Sequence, residues 1–185
     1  MKVSDFYTQM ANSTAHRPIR DYLSGLVLAD QSLLPELLSM AFDTKNKNHH
    51  KACWVMELVF EAKIEWLGDY LDAFCNTLAV YNNESSLRSV SKVCLFAVTH
   101  KQKHPGFLNG KHMEQITESC FDWLINPETK VATKAYAMRA LYLIGKKEDW
   151  IYPELQRILS EDAARHSAGY KGAAKDILRR INKGV

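Results

Sequence analysis

The side chains able to do chemistry in this chain are its histidines, carboxylates, thiols and clustered cations. His100, His104 and His112 gather around one loop, and a four-residue step would set the first two on one helical face, as metal ligands need. Pro105 follows His104, so the helix is expected to end there, and no cysteine or carboxylate completes a ligand set nearby. His49-His50 in a polar turn is weaker still. Glu57, Glu61 and Glu65 recur every four residues, a spacing that stacks carboxylates on one face. Acid–base chemistry would need burial to drive their pKa values apart. With Lys63 and Asp69 close by and an open polar face, the pattern reads as a solvated stripe. Cys53, Cys75, Cys94 and Cys120 form no Cys-x-x-Cys pair, and each falls within a helical apolar pattern, where a thiol acts as a small core residue. There is no Ser/His/Asp order, glycine-rich phosphate loop or activated-cysteine motif. The expectation is therefore no catalytic residue, no metal and no cofactor.

The cations leave more open. Lys51, Arg88, Lys92, Lys134, Lys171 and Lys175 fall on segments with helical periodicity. Such residues keep a surface solvated, or they line a groove for an acidic protein segment or a phosphate backbone. A formal charge of +3 spread along the chain does not itself predict nucleic acid.

The elements that position these residues are helices. A chain of 185 residues, 46% hydrophobic and 24% charged, suits one globular domain. Eight glycines, five prolines and few β-branched clusters point to an all-α fold. No apolar run reaches the roughly 18 residues of a membrane span, so no membrane partner is expected. The opening MKVSDFYTQM lacks the apolar segment of a secretory signal, and free thiols fit a reducing, cytoplasmic setting.

The organising stretch is Lys111 to Gly145. Met113, Ile116, Cys120, Trp123 and Leu124 mark one helical face. Asn126-Pro127 interrupts it, with Asn expected as cap and Pro in the next first turn. Val131, Ala135, Met138, Leu141, Tyr142 and Ile144 mark a second helix that Gly145 stops. Similar second helices read at 47–67, 85–100 and 166–181. Their small residues Ala52, Ser91, Ala135 and Ala174 are spaced by 39, 44 and 39 residues. First helices are expected from Ser32 (as cap) to Phe42, Leu67 to Tyr81 and Trp150 to Leu159. Polar turns are expected at 43–48, 82–86, 126–130 and 160–165, with a longer loop from Lys101 to Lys111. Repeats are thus placed at about 32–66, 67–100, 111–145 and 149–182. Two further helices, from Val3 to Ala11 and from Pro18 to Ala29, read as an N-terminal cap over residues 1–31.

On this period, on the Asn-Pro turn before Val131, Ala135, Leu141 and Ile144-Gly145, and on the Leu87-Arg88 pair, the chain resembles HEAT-repeat proteins of the armadillo-like class. The resemblance covers about residues 32 to 182. It implies a right-handed α-α superhelix of about four hairpins, with second helices, and hence the six cations, on a concave face. It implies a non-catalytic scaffold for a protein partner whose identity, like the oligomeric state, stays open. HEAT-like DNA-alkylation repair glycosylases share the architecture and use a basic concave surface, which keeps nucleic acid as an alternative. Trp54 and Glu57 come nearest to the acid-and-aromatic set of those enzymes. The segment KAYAMRALYLIGKKEDWIYPEL is also similar to small bacterial proteins catalogued as adenylosuccinate lyase. Nothing in the chain matches the serine-bearing loop of authentic lyases, which are much longer.

Overall fold

Apolar spacing of three and four residues folds this chain into helices, and among the described residues there are ten α-helices and no strand. The computed structural model describes residues 3–162 and 166–184. The chain divides into two compact units, Met1–Val93 and Cys94–Val185.

The first unit holds α1 (Val3–Asn12), α2 (Arg17–Ala29), α3 (Leu34–Phe42), α4 (His49–Ala62), α5 (Leu71–Thr77) and the start of α6 (Glu84–Lys103). Its centre is α4, which packs against α1, α2 and α3. Every residue from Val55 to Phe60 is buried, which only a helix surrounded by others allows. Tyr81 ties the unit further by donating its hydroxyl to the carbonyl of Ala41 at 2.8 Å.

The second unit repeats the plan with the end of α6, α7 (Gly110–Ile125), α8 (Val131–Ile144), α9 (Ile151–Asp162) and α10 (Ala168–Lys183). Here α8 is central and packs on α7, α9 and α10. Met138, Leu141, Tyr142 and Ile144 are buried as their spacing implies, while Val131 and Ala135 are half-buried.

Several local expectations need correction. The helix expected from Leu67 to Tyr81 is a short α5 between 3-10 turns at Ile64–Tyr70 and Leu78–Val80. Gly68, Asn76 and Thr77 are poor helix formers, so burial of Leu67, Leu71, Phe74 and Leu78 holds the segment more than its own hydrogen bonds do. Asp30, rather than Ser32, caps the approach to α3; its carboxylate accepts from the Ser32 amide at 3.1 Å. The loop after α6 shrinks to residues 104–109 because α6 continues to Lys103 and Asn109 caps α7. Asn126 does not cap α8. Its side chain accepts from the Glu128 amide at 3.0 Å, closing a turn, and the helix starts only at Val131. The turn expected at 160–165 begins inside α9, and residues 163–165 lie outside the described ones.

Gly145 does end α8, by a different physical route. Its φ of −61° is ordinary right-handed backbone. A Cβ there would collide with the ring of Tyr152, which stacks on Tyr142 at 5.8 Å and donates its hydroxyl to the Tyr142 carbonyl. Glycine is needed for close approach.

Candidate functional site

The six cations on the second helices occupy three environments. In the first unit, Arg88 and Lys92 rise from α6 beside a carboxylate from α4. Lys92 Nζ lies 3.0 Å from Glu57 and 3.2 Å from Glu61. Arg88 stands 3.8 Å from Glu57, and Ser89 donates its hydroxyl to the same carboxylate at 2.6 Å. The Glu57 side chain is only 3% exposed, against 45% for Glu61. The expected solvated stripe is therefore split: Glu65 and Glu61 are exposed, and Glu57 is buried. Two cations facing two carboxylates make a locally neutral cluster that locks α4 to α6. Burial pushes the Lys92 ammonium down, but hydrogen bonds and charge from Glu57 and then Glu61 prevail, and its pKa rises above the usual lysine value.

Lys51 and Lys134 form the second environment. Lys134 is 1% exposed and donates its ammonium to the Leu124 carbonyl of the last turn of α7 at 2.8 Å. Lys51 reaches the Ala11 carbonyl at the end of α1. Both bring a positive charge to carbonyls that a helix leaves unpaired at its negative end. Both side chains are thereby committed to folding.

Lys171 and Lys175 form the third. Both are exposed on α10, one turn apart, with no hydrogen bond or ion pair from their side chains among the described residues. Arg179 and Arg180 further along the helix pair with Asp176 at 2.7 and 2.9 Å.

Of the other candidates, the His100 and His104 rings stack at 4.1 Å, and His100 also meets Phe107 edge-on at 4.7 Å. His112 belongs to the capping box of α7 with Asn109. No group of three metal-competent side chains occurs among the described residues. All four cysteines are free and buried, and burial pushes the Cys53 and Cys120 thiols up to about 12.

A family model described as the HEAT repeat domain matches residues 6–181. The chain belongs to the HEAT-repeat family. No curated protein and no solved structure matches it. Of the six cations, Lys51 lies on α4, Arg88 and Lys92 on α6, Lys134 on α8, and Lys171 and Lys175 on α10. Lys51 and Lys134 each directly precede an alanine of the 39-to-44-residue spacing, Ala52 and Ala135, and they share the task of meeting a carbonyl at a helix end.

The repeat pattern did not point to Trp150. Read as the start of an apolar first helix, it lies just outside α9 and is 57% exposed, with its ring stacked on Phe121 at 5.7 Å. Sequence periodicity cannot reveal an apolar residue left uncovered, because it registers type and spacing, not the neighbours supplied by folding.

Proposed function

We propose that this HEAT-repeat chain is a non-catalytic scaffold that binds a protein partner through the side lined by its second helices, the concave face in this kind of repeat. The observation carrying the reading is the pair Lys171 and Lys175, exposed on α10 without a carboxylate partner among the described residues. They suit an acidic protein segment, which would supply the missing counter-charges.

Nucleic acid is the second reading, and the geometry disfavours it. Lys51 and Lys134 are engaged with carbonyls, while Arg88 and Lys92 are matched by Glu57 and Glu61. Firm duplex binding uses on the order of 6–10 phosphate contacts. Glu57, the acid beside Trp54, is held by Ser89 and Lys92, which leaves it poorly placed as a base-excision acid. The lyase label finds no supporting constellation, and fumarate release from adenylosuccinate by the pure protein would establish it against this proposal.

The test is fluorescence anisotropy of a labelled acidic peptide with the full chain. Binding that falls severalfold in the Lys171→Ala/Lys175→Ala double variant is expected. Binding indifferent to that change would remove α10 from the proposed site.

A further inference from the structure

The first helices of the second unit carry a surface of opposite character. Trp150 is 57% and Ile125 56% exposed, large apolar side chains that folding ordinarily covers. Trp150 and Phe121 form walls shared by two clefts. One, of about 820 Å³, continues over Met113, Leu143 and Ile144. The other, of about 610 Å³, continues over Ile125, Pro153 and Ile158.

Carboxylates border this apolar ridge, with Glu114 and Glu118 lining the larger cleft and Asp122 one turn further along α7. Glu114, Glu118 and Asp122 follow one another at four-residue steps along α7, all exposed and without an ion pair among the described residues. Like charges at that spacing weaken a helix, so a cation brought from outside relieves a real cost. Glu114, Glu118 and Glu148 line the larger cleft together with Lys101 and Lys147. Lys101 donates to the carbonyls of Pro105 and Leu108 at 2.8 and 2.5 Å, which holds it to its own loop. An indole beside carboxylates suits lysine or arginine, which meets the ring face and the negative charge together.

We propose that this ridge docks a basic amphipathic helix of a partner protein. Its apolar side chains fill the clefts beside Trp150, and its lysines or arginines, one per turn, face Glu114, Glu118 and Asp122. This is helix-in-groove recognition, with matching periods on the two helices. An anionic lipid surface fits poorly, because the same carboxylates would repel its headgroups. The surface shares no lining residue with α10 and stands apart from the acidic-segment reading.

The experiment is anisotropy of a labelled synthetic Leu/Lys amphipathic helix with the full chain at low and physiological salt, alongside its Leu/Glu counterpart. Expected is binding of the Leu/Lys helix that weakens about tenfold in Trp150→Ala. Glu114→Gln/Glu118→Gln should weaken it comparably and flatten its salt dependence. Circular dichroism should match wild type for both, since the altered side chains are exposed. Lys171→Ala/Lys175→Ala should leave this binding unchanged, which separates the two surfaces. Absence of Leu/Lys binding, or binding indifferent to Trp150→Ala, would overturn the proposal. So would Trp150-dependent capture of phosphatidylserine vesicles, or a Trp150-dependent dimer in sedimentation.

Discussion

One ammonium joins two carboxylates of very different exposure: Lys92 Nζ is 3.0 Å from Glu57, which is 3% exposed, and 3.2 Å from Glu61, which is 45% exposed. Removing the buried partner takes from Lys92 and Ser89 a carboxylate that water cannot readily replace, whereas removing the exposed one leaves water to replace it. Glu57→Ala should therefore destabilise the protein by about 3 kcal/mol. Glu61→Ala should cost under about 1 kcal/mol. Urea unfolding measures both, and equal effects would refute the distinction.

The same contact sets a pH window. The Lys92 pKa is raised above its ordinary 10.5, so the stabilisation is complete below that pH and is lost as pH climbs through the folded-state value. The stability gap between wild type and Lys92→Met should stay flat through neutral pH and shrink only in alkali. Closure of the gap near neutrality, followed by urea unfolding across pH, would contradict this.

Lys134 and Lys171 look alike in sequence and differ in consequence. Lys134→Ala deletes a buried side chain and leaves the Leu124 carbonyl without its donor, a loss of about 3 kcal/mol. Lys171→Ala alters an exposed side chain and should stay within about 0.5 kcal/mol. Thermal unfolding of the two variants side by side checks the contrast.

The buried thiols give a chemical test. With pKa values near 12, Cys53 and Cys120 hold roughly one thiolate in ten thousand at pH 8. Neither should be labelled by a thiol reagent in the native protein, and both should react on unfolding. Rapid native labelling at either position, located by mass spectrometry, would contradict their burial.

The helices were legible in the sequence because apolar residues recur along them at steps of three and four. What the chain did not disclose depended on partners distant in sequence. Glu57 looked like one member of a solvated stripe because Ser89 and Lys92, which bury it, lie a repeat away. Lys134 looked like surface until α7 ended beside it. The break around α5 escaped notice because apolar spacing survives in 3-10 turns. Gly145 read as a stop, yet its reason is the Tyr152 ring, which only the fold brings close.

The most direct test of the protein-binding account is the salt dependence of binding to a labelled DNA duplex. With Lys171 and Lys175 as the two of the six candidate cations left without protein partners among the described residues, the account predicts weak binding and a log–log salt slope no steeper than about −2. Tight binding with a slope near −6 or steeper, lost when Arg88, Lys92, Lys171 and Lys175 become alanine, would contradict it and establish a phosphate-binding surface.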